Sequence, residues 1–477
     1  MPRDAKLHQM VTKMPETRTE SDALGNVKVP SEAYYGADTQ RARDNFPISG
    51  IRSSPEFIKS YAMLKRAAAL ANMKEKRLDQ RAGGAIVKAC DEVIAGKLRD
   101  QFVVDVFQAG AGTSVNMNLN EVIANRATEM LGGQKGTYKM VHPNDHVNMS
   151  QSTNDTYHTA THMCVYSMLH GRLMPALSRL QKALDSKSRE FAGAVKIGRT
   201  HLQDATPITL GQEFSGYSYS IGACRQNLAN AASSLLVLPI GGTAVGTGIG
   251  SKPSYSADVV HYIRECTKAD FAVSENIFGV QQNQNEEKWV SSALADLAIA
   301  INKISNDLRL MNSGPISGFG DISLPAVQPG SSIMPGKVNP SMAEMMNMVC
   351  FQVIGSDAVV SHAAQAGQLE LNVFMPVIAY NLVFSVEILA NGIDAFTERC
   401  VIGIKANTDR LKSIIDRDTA LATALSPYIG YARAADIANT ARREGKTVKQ
   451  VCLEMKVMKE KELDRILDPK RQLKPTE

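Results

Sequence analysis

The sequence is poor in aromatic side chains, at 6% of 477 residues, with Trp289 the one tryptophan. Stacked rings therefore cannot dominate its core. An aliphatic core filled out by 21 methionines is expected instead, a composition suited to adaptable helix–helix packing. Cysteines are few and scattered (Cys90, Cys164, Cys224, Cys266, Cys350, Cys400, Cys452), with no CxxC and no His/Cys pairing at metal-ligand spacing. Free thiols in a reducing compartment are expected rather than disulfides or zinc. There is no polybasic block: the net charge of +5 is spread along a mixed sequence, which argues against nucleic-acid binding. The mild positive balance suits anionic substrates. No apolar run reads as membrane-spanning, and Met1 to about Glu20 has no apolar signal-peptide centre. A cytoplasmic chain without membrane or nucleic-acid partners is expected. No internal repeat or low-complexity tract is present.

What is there is helical period. Val290, Leu294, Leu297, Ile301, Ile304, Leu308 and Met311 recur at alternating spacings of four and three, the seam of a bundle. Leu169, Leu173, Leu177, Leu180 and Leu184 form a second stripe, with a kink expected at Pro175. Ile378, Leu382, Val386, Leu389, Ile393 and Phe396 form a third. At this length several domains or one elongated helical body are expected. The pattern divides into a loose arm over 1–20, a mostly helical domain over 21–150, a central helical bundle over 151–406 and a small helical domain over 407–477.

One stretch breaks every period. Gly330–Pro340 reads GSSIMPGKVNP. Proline removes donors and glycine adds freedom, so this is a loop. By composition it is either an anion site or a surface turn carrying a lysine. Three other stretches are similarly loaded: GAGTSVNMNLNEV (Gly110–Val122), HPNDHVNMSQSTND (His142–Asp155) and GRTHLQDATPITLGQEFSGY (Gly198–Tyr217). The hydroxyls of Thr113 and Ser114 serve either a ligand or a helix cap. Ser152, Thr153 and Asn154 have the same two readings. Thr200 and His201 follow Arg199, and a lone histidine is more often structural than catalytic.

Taken together, these four stretches resemble the aspartase/fumarase superfamily, and the likeness runs from about Glu20 to about Leu473. It implies a mainly α, three-domain fold whose central long-helix bundle forms a multi-helix core in a homotetramer, with active sites shared between subunits. It implies a small amino-acid or dicarboxylate substrate and no cofactor. Residue by residue, Thr113, Ser114, Ser152, Thr153 and Asn154 would bind the substrate carboxylate and leaving group. Thr200 and His201 would contact the α-carboxylate and departing group, with His201 catalytic. Lys337 and Asn339 would hold the same carboxylate, and Ser331 would be the general base. Glu344 would orient His201 from a neighbouring chain, and His158 is a titratable group close behind the polar triad.

The chemistry so implied removes a proton from a carbon beside a carboxylate, and the charge spreads into that carboxylate. Dense donors and a nearby base are required. No metal-ligand cluster is visible in the sequence, so hydroxyls, amides and backbone N–H groups must serve. A serine base needs its pKa lowered by roughly six units, on the order of 8 kcal/mol. Gly330–Asn339 is therefore expected to be a mobile lid that closes over substrate.

Within the family, GAGTS and QSTN resemble the aspartase branch, where fumarases usually read GSGTQ and QSSN. Elimination of ammonia from L-aspartate to give fumarate is the expected activity. Class II fumarase is the rival. Ile316 and His158 stand where arginine and proline are usual, and Gln281–Trp289 is unusually polar. These departures are first read as neutral drift in packing, and they leave room for a third reading, an amine-lyase acting on a non-aspartate substrate, as ergothionase does. A non-catalytic scaffold of the lens-crystallin kind is opposed by the intact Ser331, Lys337 and Asn339.

Overall fold

The structure, a computed structural model, describes residues 16–475. Most of the expected arm (1–15) lies outside the described residues; Thr17–Glu20, also expected there, instead belong to a strand. Strands β1 (Thr17–Asp22) and β2 (Gly25–Pro30) pair antiparallel. There follow α1 (Ala37–Asn45), α2 (Pro55–Lys74), α3 (Gln80–Ile94), α4 (Thr113–Met130), α5 (Thr153–Met168) and α6 (Met174–Glu190). An antiparallel hairpin, β3 (Val195–Thr200) and β4 (Gln203–Thr209), precedes α7 (Leu210–Ser234). Short parallel strands β5 (Val237–Leu238) and β6 (Ala272–Val273) flank α8 (Tyr255–Thr267). Then come α9 (Ile277–Gln282), α10 (Asn285–Met311), α11 (Ser341–Gln365) and α12 (Met375–Arg399), with five shorter helices beyond.

Local chemistry explains the starts of these helices. At α2, Ser54 accepts from the Glu56 N–H at 3.3 Å and Pro55 occupies the first turn, where its missing donor costs nothing. At α3, the Asp79 carboxylate accepts from the N–H groups of Arg81 and Ala82, both at 2.9 Å. The irregularity expected at Pro175 is there: a π-helical turn at Leu169–Leu173, holding the residue four before the proline, leads directly into α6. The three apolar stripes are buried throughout, and each fully buried aliphatic side chain contributes about 1.5–3 kcal/mol.

One expectation is corrected. The helix at Met375–Gly403 is long and apolar enough to cross a membrane, with a hydropathy of 1.4 over its best window. Polar residues such as Asn381 and Glu387 break its runs, which hid this from a search for unbroken apolar stretches. Two thirds of that window, 67%, is buried inside the protein, so the apolar face is spent on packing.

The chain resolves into two compact units. The first comprises 1–169, 231–291 and 356–384; the second comprises 170–230, 292–355 and 385–477. The second contains a small apolar cluster near the C-terminus built on Leu425, Ile437, Val451, Cys452 and Leu463.

The second unit also holds its hairpin by charge. Asp321 is fully buried and takes Arg199 Nη1 at 2.6 Å and Lys196 Nζ at 2.9 Å. Lys196 also reaches Glu213 at 2.9 Å, and the Arg199 guanidinium lies over the Phe319 ring at 4.2 Å. Burial pushes the Asp321 pKa up, but the two cations outweigh it and hold the carboxyl below its ordinary value. Asp321→Ala strands Arg199 and leaves Lys196 with Glu213 alone, and is expected to destabilise by about 3 kcal/mol, read as a lower urea midpoint. Because the folded pKa is depressed, this stabilisation is complete above the ordinary carboxylate pKa of about 4. It is lost as pH falls through the folded value, so Asp321→Asn is expected to flatten the acid limb of a midpoint-versus-pH curve.

Candidate active site

The first unit brings two of the motif stretches together. Ala111 donates its N–H to the Val373 carbonyl at 2.8 Å. Ala111 and Gly112 both have positive φ, +60° and +83°. At Gly112 a Cβ would lie 2.1 Å from the Tyr157 ring, so only glycine lets α4 start this close to α5. Thr113 is then exposed at the first position of α4, and Ser114 is buried beside it.

Asn116, one turn below, connects the two helices. Its Nδ2 donates to Thr153 Oγ1 at 2.9 Å. Its Oδ1 accepts from Tyr61 Oη at 2.9 Å and from Lys65 Nζ at 2.7 Å. Lys65 is fully buried on α2 and also donates to Asn148 Oδ1 and Gln151 Oε1, each at 3.0 Å. Three oxygens match the three donors of an ammonium. Burial drags its pKa down to about 7, with Asp155 opposing. Thr153, held as an acceptor by Asn116, keeps its hydroxyl proton for a ligand.

Ser152 caps α5: its Oγ accepts from the Asn154 N–H at 3.2 Å, while Asp155 Oδ1 accepts from the Ser152 N–H at 3.0 Å. The other oxygen of Asp155 accepts from the N–H groups of Gly241 and Thr243, both at 3.0 Å. Burial raises the Asp155 pKa to about 6 against those donors. Asn154 Nδ2 donates to the Ala244 carbonyl at 2.8 Å. Gln281, in the polar stretch noted above, is buried and donates to the carbonyls of Thr243 and Ala244 at 2.9 and 3.1 Å. Its polarity thus serves the loop that braces Asp155. Sequence reading missed Lys65, Asp155 and this loop; a single lysine inside the apolar run YAMLKRAAAL was the available signal.

The remaining candidates lie in the second unit. Thr200 and His201 are exposed at the tip of the β3–β4 hairpin. His201 and Leu202 form its two-residue turn with φ of +54° and +58°. Turns of this kind favour Asn-Gly, and other residues carry strain of order 1 kcal/mol each.

The Gly330–Asn339 loop closes on itself. Gly330 N–H donates to the Lys337 carbonyl at 3.0 Å, and Asn339 Nδ2 donates to the Gly330 carbonyl at 2.7 Å. A Cβ on Gly330 would sit 2.2 Å from that Lys337 oxygen. Ser331 Oγ accepts from the backbone N–H groups of Ile333 and Met334 at 3.1 and 2.9 Å. These are donors of the kind a serine base requires. Lys337 is exposed and, with Ser331 and Met334, lines a cavity of about 380 Å³. Asn339 spends one amide proton on the loop itself. Glu344 is half-buried in the first turn of α11.

His158, one turn behind Asn154 on α5, is fully buried and faces Glu287, His162 and Gln284. His158, His162 and Glu287 form a metal-competent group that the sequence reading did not see, because Glu287 lies far along the chain from both histidines. Ile316, in place of the usual arginine, is 93% exposed in its loop.

A family described as Lyase matches residues 25–355, and one described as Fumarase C C-terminus matches residues 421–473. The chain belongs to the aspartase/fumarase superfamily. Superfamily relatives of two kinds match over nearly the full chain. An aspartate ammonia-lyase from a Bacillus species is 48% identical, covering 95% of this chain and 97% of its own. A class II fumarate hydratase from Bradyrhizobium diazoefficiens is 46% identical, covering 99% and 100%. Among solved superfamily structures, a fumarate lyase (delta crystallin) from Brucella melitensis bound to cobalt superposes with TM-score 0.93 at 46% identity, over 96% of this chain and all of that one. A class II fumarase from Schistosoma mansoni gives 0.94 at 35% identity, over 97% and 100%. The mainly helical fold expected from sequence is that of the superfamily, and the chain is a lyase.

The hairpin geometry gives a direct test. Leu202 is 62% exposed, so its side chain contributes little packing. Leu202→Gly relieves the positive φ and is expected to raise stability by about 0.5–1 kcal/mol, read as a higher thermal midpoint.

Proposed function

We propose that the chain is an aspartate ammonia-lyase, converting L-aspartate reversibly to fumarate and ammonia without a cofactor. The observation that carries the elimination chemistry is Ser331, whose Oγ accepts two backbone N–H bonds. In this reading Ser331, as the alkoxide, removes a proton from the carbon beside one carboxylate. The C–H electrons move into that carboxylate, giving a doubly charged aci-carboxylate. Its collapse forms the double bond and expels ammonia from the adjacent carbon on the opposite face. Lys337, Asn339 and Thr200 hold the carboxylates, and His201 attends the departing group. The hydroxyls of Thr113, Ser114, Ser152 and Thr153 and the amide of Asn154 complete the donor set.

The preference for ammonia over water rests on two positions. Ala111 replaces a substrate-facing serine and is buried against Val373. Thr153 adds a methyl group where fumarases usually carry serine. Relatives of both kinds stand at similar identity, so class II fumarase is the second reading. A homotetramer with sites shared between copies is part of the proposal. Met348, Phe351 and Ile354, spaced three apart on α11, are exposed in the single chain and support it.

One assay separates the readings. Fumarate's ultraviolet absorbance is followed with ammonia and without it. A fall only with ammonia is expected; an equal fall in water alone would sink the ammonia-lyase reading in favour of the hydratase. Ser331→Ala is expected to lower kcat by about 10²–10⁴-fold with the oligomer unchanged by light scattering. A variant that keeps full activity removes the serine from the base role.

A further inference from the structure

One buried cluster takes no part in this chemistry. His158 and His162 stand one turn apart on α5, and Glu287 lies in the first turn of α10; all three side chains are fully buried. They belong to the same unit. Glu287 Oε1 lies 2.7 Å from His158 Nε2 and 3.0 Å from His162 Nε2. One ligand atom from each residue falls within 4.8 Å of the others. The two rings meet edge to face, with centroids 4.7 Å apart.

These atoms are close without the alignment of hydrogen bonds. Among the described residues, neither Nε2 atom and neither Glu287 oxygen has a well-aligned hydrogen-bond partner, although Glu287 Oε1 is within ion-pair distance of both rings. Buried polar atoms left in that state are costly. The ring of His162 is oriented from behind: its Nδ1 lies 2.9 Å from the Val237 carbonyl. A carbonyl only accepts, so Nδ1 carries the proton and the other nitrogen is aimed at the cluster. Metal-bound histidines are oriented by this same outer contact.

We propose that His158, His162 and Glu287 are the ligands of one borderline divalent ion, of the Zn²⁺ or Co²⁺ class, which bolts α5 to α10. Two imidazoles and a carboxylate suit such ions, whereas Mg²⁺ favours an all-oxygen shell with retained water. Bonds of about 2.0–2.1 Å in a tetrahedral site place ligand atoms roughly 3.3 Å apart. Glu287 Oε1 therefore needs to withdraw by about half an ångström, and the two imidazole nitrogens, within 4.8 Å of each other, to settle at the same spacing. His158 lies one turn after Asn154, so the ion fixes the end of α5 that carries Ser152, Thr153 and Asn154. The role is structural, and it holds whether the leaving group is ammonia or water.

The test uses the full-length protein, unfolded in chelator and refolded with Co²⁺ or Zn²⁺ alone. About one Co²⁺ per chain is expected, with visible absorption bands of four- or five-coordinate geometry, and a thermal midpoint several degrees above the chelated form. Glu287→Gln and His162→Ala are expected to lose the bands, and His158→Ala to weaken binding at least about tenfold. The wild-type titration decides even if a variant misfolds. Absent bands, a metal content below about a tenth of an ion per chain, or a midpoint indifferent to Zn²⁺ and chelator would each overturn the site. So would bands that survive in folded Glu287→Gln and His162→Ala proteins, since the ion would then lie elsewhere.

Discussion

A cation sealed inside a helical protein dictates where its neighbours stand. Lys65 is fully buried, and taking an ammonium out of water costs several kcal/mol unless oxygens replace the lost hydration. Asn116, Asn148 and Gln151 supply those oxygens at 2.7–3.0 Å. Each can serve only from a narrow range of positions, so the lysine fixes α4 and the turn before α5 against α2. The second amide hydrogen bond of Asn116 carries that order on to Thr153. In the proposed site the Thr153 hydroxyl is useful only if it does not wander, and here the hydrogen bonds of a buried lysine, passed on through Asn116, hold it.

The same logic separates the two buried carboxylates. Asp155 accepts from three backbone N–H groups and has Lys65 nearby, yet burial wins and its pKa rises. Asp321 is as buried but touches two full cations, and there the cations win. Partial charges on peptide N–H groups offset less of the desolvation than a guanidinium and an ammonium in direct contact. Both carboxylates act as braces: one joins the start of α5 to the Gly241–Ala244 loop, the other anchors the strand that leads to Thr200 and His201. The strained turn at His201 and Leu202 can persist because the strand beneath it is so held.

Much of this was legible in the sequence. The apolar stripes of α10 and α12 are buried residue by residue as their spacing requires, because a period of 3.6 names a face. The Gly/Pro-rich stretch is a loop for the reason its composition gives. What a period cannot name is the partner across the core. Lys65 and its acceptors are separated by 51 to 86 positions, and Glu287 stands on a helix distant in sequence from His158 and His162. The metal-competent group was hidden for that reason. Pro175 was legible too: a proline disturbs the turn before it, and the π turn stands there.

Ser331 shows how far the visible structure goes toward a working base. Lowering a serine pKa by roughly six units requires on the order of 8 kcal/mol in favour of the alkoxide. Charge-assisted hydrogen bonds contribute about 1.5–3 kcal/mol each, so the N–H groups of Ile333 and Met334 supply about 3–6. The remainder matches one cation about 4 Å away at an effective dielectric of 20, worth about 4 kcal/mol; in bulk water it would be worth about 1. Lys337 is on the same loop but exposed to solvent, where its charge is largely screened. On the proposed reading, the serine becomes a base only when water leaves the loop, which would tie proton abstraction to closure over a bound substrate. Closing the loop before substrate arrives would bury an alkoxide and a lysine together with nothing to deprotonate, and the exposed Ile333 and Val338 provide an apolar surface whose burial can drive closure once a ligand fills the space.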